Sequence, residues 1–148
     1  MYADRTEVSV EKSRMEIEQL LRKNGAEQYA SGWDAERAVI SCRVKGLVLR
    51  FAIPMPLRAA HARDRNGYAR TESQVAAAVT QAERQKWRAM LLVIKAKFES
   101  IDSGVETFEE AFLANVVLPT GETMGDWSMR ELPKVYTSGV TLSLGSGS

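Results

Sequence analysis

AVISCRVKGLVLRFAI, residues 38–53, alternates with a period of two. Ala38, Ile40, Cys42 and Val44 fall on one side of an extended chain and Val39, Ser41 and Arg43 on the other. After Lys45-Gly46 the alternation resumes, with Leu47, Leu49, Phe51 and Ile53 set against Val48, Arg50 and Ala52. This pattern predicts a hairpin with one buried face. Glu27 to Trp33, closed by Asp34-Ala35-Glu36-Arg37, predicts a third strand, and Glu7-Val8-Ser9-Val10 is a further short strand candidate. Pro54 and Pro56 end the hairpin because proline cannot donate to a ladder. An antiparallel sheet of three or four strands follows.

Such a sheet needs an apolar partner, and the chain offers a long one. Thr71-Glu-Ser-Gln74 is a capping box and predicts a helix running to about Ser103-Gly104. At about 100° per residue from Arg84, the side chains of Trp87, Met90, Leu91, Ile94, Phe98 and Ile101 share one arc. Arg84, Arg88 and Lys95 fall directly beside that arc, while Leu92 and Val93 lie outside it, which suggests a helix contacted on more than one side.

Ser13-Arg-Met-Glu16 reads as the start of an earlier helix, ended at Asn24-Gly25. Thr107-Phe-Glu-Glu110 starts a shorter one through about Val117, and Pro119-Thr120-Gly121 is a turn. Asp126 or Ser128 caps a last helix, which Pro133 must enter near its first turn or break. The expected fold class is α+β: an antiparallel sheet packed against a long central helix, with additional C-terminal helices. Residues 1–140 are expected to form a single domain with a long basic loop at 54–70, and the Gly/Ser-rich residues 141–148 a disordered tail.

The chain has 148 residues, 45% hydrophobic and 26% charged, enough for one core without staples. No apolar run reaches the roughly eighteen residues of a membrane span, and MYADRTEVSV lacks the layout of a signal peptide. Together with a single cysteine, Cys42, this points to the cytoplasm and excludes an internal disulfide or a thiol-held metal centre. The net charge of +1 hides an asymmetry. Residues 54–97 carry nine Lys/Arg against three Asp/Glu, and residues 98–148 carry two against eight. A basic middle beside an acidic end implies either an anionic partner or mutual neutralisation of the two segments.

The usual catalytic patterns are missing. His61 is the only histidine, and no Gly-x-Ser-x-Gly elbow, Gly-x-Gly-x-x-Gly loop or Walker loop is present. Glu109 and Glu110 are explained by the preference of a first helical turn for acids, and as neighbours on a helix they diverge by about 100°. Cys42 reads as a buried structural thiol. No enzyme activity, cofactor or metal is expected.

That leaves PMPLRAAHARDRNGYAR, residues 54–70, which has no apolar periodicity. Arg58, Arg63, Arg65 and Arg70 lie in it with Tyr68, and Arg84 and Arg88 lie on the helix that follows. Arginine forks bind phosphate and a tyrosine offers a base a stacking face, a combination suited to single-stranded or irregular nucleic acid. With few acids nearby and little to bury, residues 57–69 are expected to be mobile until a partner orders them.

Gln85-Lys-Trp-Arg-Ala-Met-Leu-Leu-Val-Ile-Lys-Ala-Lys-Phe-Glu99, Gly104, Thr107-Phe-Glu-Glu-Ala-Phe-Leu-Ala114, Val117-Leu-Pro-Thr-Gly-Glu-Thr123 and Gly125-Asp-Trp127 carry a resemblance that Ala38-Val39-Ile40 and Leu49 to Pro54 extend into the front half. On these residues the chain resembles a family of small proteins encoded in phage and prophage genomes. The resemblance implies the cytoplasm of a bacterial host and an intracellular phage role, and brings no catalytic residues with it. Two classes of function remain open. One is a nucleic-acid-binding accessory protein of replication, recombination or DNA protection. The other is an interaction module for a host or phage protein, such as an inhibitor of a host defence system or an adaptor.

Overall fold

A computed structural model describes residues 6–137 and residue 139; the expected tail at 141–148 lies outside the described residues. The alternating segment is a hairpin, β2 (Arg37–Val44) paired antiparallel with β3 (Leu47–Pro54), and β1 (Gln28–Trp33) pairs antiparallel with β2. The sheet has three strands in the order β1-β2-β3. Lys45 and Gly46 both take positive φ, 51° and 80°, so the two-residue loop has the left-handed backbone that matches strand twist. Ala38, Ile40, Cys42, Val44, Leu49, Phe51 and Ile53 are buried on one face, as the alternation requires.

Hydrogen-bond phase follows from the two ends of the ladders. The Met55 amide donates to Glu36 O, so the even-numbered residues of β2 bond to β3; the Asp34 amide donates to Arg37 O, so the odd-numbered ones bond to β1. At the far edge of β3 the chain covers itself. The Val117 amide donates to Val48 O at 2.8 Å, Asn115 Nδ2 donates to Arg50 O at 3.1 Å, and Leu49 bridges Val116.

Two long helices lie over the buried face. The first, α1 (Val10–Lys23), starts earlier than the Ser13 box implies. Ser9 is its N-cap, accepting from the Lys12 amide at 3.1 Å, and residues 7–10 form no strand. Ser13 instead lies inside the helix, fully buried, and its Oγ has no hydrogen-bond partner among the described residues. Burial of the Ile17–Leu21 face pulls Ser13 inward, and this outweighs the local cap signal. Asn24 and Gly25 end the helix, the glycine at φ 97°.

The second, α2 (Glu72–Asp102), is the spine of the fold and has the expected capping box between Thr71 and Gln74. It buries Trp87, Leu91, Ile94 and Phe98, but Val93 is exposed, so that side of the helix is left open. Capped by Thr107 with Glu110, α3 (Phe108–Phe112) is shorter than expected. The chain leaves it through a 3-10 turn at Leu113–Asn115, because Val116 and Val117 are taken by pairing with β3 and with Thr123. The Thr107 amide and hydroxyl hold the Glu110 carboxyl below its ordinary range. Phe112 closes the core, its ring centroid 5.1 Å from those of Phe98 and Phe108 and 5.9 Å from Phe51.

The last helix, α4 (Met124–Tyr136), is capped by Thr123, which accepts from the Asp126 amide, rather than by Asp126 or Ser128. It runs through Pro133 in its last turn. A proline there leaves the Met129 carbonyl without its helical donor, a cost that water meets because this end of α4 is exposed. The sheet, the central helix and the C-terminal helices thus form an α+β fold. No helix among the described residues is long and apolar enough to cross a membrane.

Candidate nucleic-acid interface

The basic segment has more structure than its composition suggests. After a 3-10 turn at Arg58–His61, the chain folds into a miniature hairpin in which Arg63 bridges Ala69 and the Arg70 amide donates to Ala62 O. Asp64 organises its tip. One carboxylate oxygen, Oδ1, accepts from the Asn66 amide at 2.9 Å and the Tyr68 amide at 3.0 Å, while the Gly67 amide donates to Asp64 O. Gly67 supplies the left-handed residue, at φ 85°. The Asp64-Arg-Asn-Gly67 string carries this turn, so the signal was present within an otherwise featureless run.

The hairpin sorts the arginines by task. Arg63 Nη1 donates to Gly67 O at 2.9 Å, and Arg70 Nη1 donates to His61 O at 3.2 Å, so these two brace the backbone of the segment. Arg58 on the 3-10 turn and Arg65 at the tip are exposed and make no hydrogen bond or ion pair among the described residues. Tyr68 is 71% exposed. Asp64, the one acid of the segment, is occupied by the backbone.

Arg84 and Arg88, placed with the loop by sequence, meet other surroundings than the hairpin arginines. Arg88 Nη1 donates to Glu16 Oε2 of α1 at 3.3 Å, so its charge ties the two helices together. Arg84 lines a cleft of about 590 Å³ with Glu11, Glu83, Asp34, Trp33 and Trp87. Mixed charge makes that cleft a poor seat for a polyanion. Arg14, with its guanidinium 5.6 Å from the Trp87 ring centre, and the largely exposed Trp33 also line it, and sequence periodicity pointed to neither.

The charge asymmetry of the sequence persists in space. Arg58, Arg63, Arg65 and Arg70 precede the N-terminus of α2; Glu99, Asp102, Glu106, Glu109 and Glu110 lie at its C-terminal end and on α3. Thirty-one residues separate the ends of α2, about 46 Å of helix. Among the described residues no ion pair joins the basic segment to the acidic third, so the two do not neutralise each other. Two acids near the C-terminal end pair locally, Glu122 in the turn before α4 with Arg130 and Glu131 on α4 with Lys134.

Burial pushes the Cys42 thiol up to about 11, which keeps it un-ionised and inert near neutrality. Among the described residues no group of three or more His, Cys, Asp or Glu side chains is placed to hold a metal ion. Comparison with known proteins matches this chain to no family model, no curated protein and no solved structure.

Proposed function

We propose that the protein is a phage-encoded, non-catalytic accessory protein that binds single-stranded or irregular nucleic acid through the 58–70 hairpin. One observation carries this reading: the Arg58 and Arg65 side chains have no partner among the described residues and Tyr68 is exposed, on a segment whose other arginines, Arg63 and Arg70, brace its own carbonyls. Two free guanidinium forks can each take a phosphate, and the exposed ring of Tyr68 can stack on a base. Bracing lowers the ordering cost of binding, because the backbone already has its shape. The phage setting, in the cytoplasm of a bacterial host, rests on the sequence resemblance.

Fluorescence anisotropy with a labelled single-stranded oligonucleotide across a salt series tests the reading. Replacing Arg58 and Arg65 together by alanine should weaken binding of every sequence alike and lower the salt slope by about 1.4. Tyr68→Ala should cost up to about 1–3 kcal/mol and leave the slope nearly unchanged, since stacking releases no counterions. Absence of binding at low salt would discard the proposal.

A second reading, an interaction module for a host or phage protein such as a defence inhibitor or an adaptor, draws on α4. Met129, Leu132, Val135 and Tyr136 are exposed there, and α4 has no buried residue. Capture of one stoichiometric protein from nuclease-treated host lysate, lost in Leu132→Asp, would favour it.

A further inference from the structure

The two edges of the sheet are treated differently. The outer edge of β3 is covered by residues 115–117, whereas no strand or backbone hydrogen bond covers the outer edge of β1 among the described residues, and on the helix face only Arg14 of α1 reaches it, Nη2 donating to Ser31 Oγ at 3.4 Å. The phase derived above directs the even-numbered residues of β1 towards β2, so Tyr29, Ser31 and Trp33 present their N–H and C=O groups outward. Natural edge strands are usually guarded by charge, proline or a bulge. Gln28-Tyr-Ala-Ser-Gly-Trp33 has no charged residue and no proline, and its register with β2 is unbroken over all six residues.

We propose that β1 is an interface strand, pairing antiparallel with β1 of a second copy of this chain about a two-fold axis at Ser31. The outward-facing residues are symmetric about that point. Ser31 meets Ser31 of the partner subunit, and Tyr29 meets Trp33 of the partner subunit on both sides of the axis. Three hydrogen-bonded pairs form six backbone hydrogen bonds and join two three-stranded sheets into one of six.

The side chains fit the same arrangement. Tyr29, Ser31 and Trp33 lie opposite Cys42, Ile40 and Ala38, so they point to the face that carries the helices. There α1 overhangs the open edge and leaves a groove of about 500 Å³. Trp33, 74% exposed in the single chain, would be covered as an aromatic cross-strand partner of Tyr29. The groove side of α1 carries Glu11, Arg14, Glu18 and Arg22 in alternating sign, Arg22 pairing with Glu18 at 3.0 Å within the helix. A two-fold sets the α1 of each copy antiparallel to the other, bringing Glu11 towards Arg22 of the partner subunit, so the charge pattern is self-complementary. The proposal rests on the sheet edge and does not depend on nucleic-acid binding.

Sedimentation equilibrium of the full chain over a concentration series should show a dimer. Ser31→Pro removes the N–H at the axis, which faces away from β2, and should raise the dissociation constant at least tenfold while the far-ultraviolet circular dichroism keeps its shape. Ser31→Ala keeps that N–H and should keep the dimer. Ser31→Cys gives a readout independent of any effect of proline on folding: a hydrogen-bonded pair sets the two Cα atoms about 5.5 Å apart, within disulfide range. Mild oxidation should then give a covalent dimer, which Ala30→Cys, displaced from its own copy along the strand, should not. A monomer throughout the series overturns the proposal, as does a dimer that survives Ser31→Pro and that Ser31→Cys fails to cross-link.

Discussion

Arg88 on α2 donates to Glu16 on α1 at 3.3 Å, across two helices that run in the same direction over one face of the sheet. Thr6 accepts from Gln81 and Arg14 covers Trp87 further up the same seam, so the contacts advance along both helices together. Both partners of the pair are about a third exposed, 27% and 32%, so solvent screens it. A double-mutant cycle with Arg88→Ala and Glu16→Ala should give a coupling of about 0.2–1 kcal/mol in denaturant melts. Arg88→Ala should also leave the salt slope of oligonucleotide binding unchanged. A drop of about 0.7 would place Arg88 on phosphate instead.

Ser9 and Ser13 make an internal contrast. Ser9→Ala removes the side-chain cap of α1 and should cost about 1 kcal/mol. Ser13→Ala removes a buried hydroxyl with no partner among the described residues and should be neutral or stabilising. Urea denaturation of the two variants decides it, and the reverse order would restore Ser13 as the cap.

Asp64 holds the basic hairpin by one oxygen. Asp64→Ala leaves the Asn66 and Tyr68 amides without their acceptor and should open the tip. Trypsin cleavage after Arg63 or Arg65 should then be several-fold faster than in the unaltered chain, with no change in the melting of the domain. Equal rates would mean that the segment is already open in solution and that mobility, as its composition suggests, prevails over these bonds.

Phe112 is fully buried and touches three other phenylalanine rings from three elements. Phe112→Ala should cost about 3–5 kcal/mol, whereas Leu113→Ala, next to it and half exposed, should cost less than about 1 kcal/mol. Paired thermal melts check the difference.

How much of this was legible depended on whether a local rule or a tertiary contact decided each residue. The alternation from Ala38 to Ile53 predicts its hairpin because period two and a left-handed Lys45-Gly46 turn admit little else. The boxes at Thr71 and Thr107 predict their helix starts for the same reason. Ser13 has an equally good local signal and misleads, since the docking of α1 on α2 decides where the helix begins. The position of Arg88 beside the apolar stripe is readable, but its partner Glu16 lies 72 residues away and no periodicity names it. In the candidate site, the composition of residues 54–70 shows the charge but hides the Asp64 turn that separates bracing arginines from free ones. Trp33 falls in phase with a buried face and is nonetheless exposed, because it stands on the edge strand and lines an open cleft beside α1 and α2 instead of packing under them.

Gly125 lies so close to the 3-10 turn that a Cβ built on it would sit 2.8 Å from the Ala114 carbonyl oxygen. No side chain fits that gap, so α4 seats this close to the turn only with glycine at position 125. The attachment lies in the first turn of the helix, and about 17 Å of helix extends beyond it to Tyr136. The arrangement is mechanically a lever with a short fixed arm: tilting it by about 10° at Gly125 would swing the Tyr136 end by about 3 Å. A methyl group at position 125 would therefore be felt chiefly at the opposite end of the helix, where the exposed apolar side chains are.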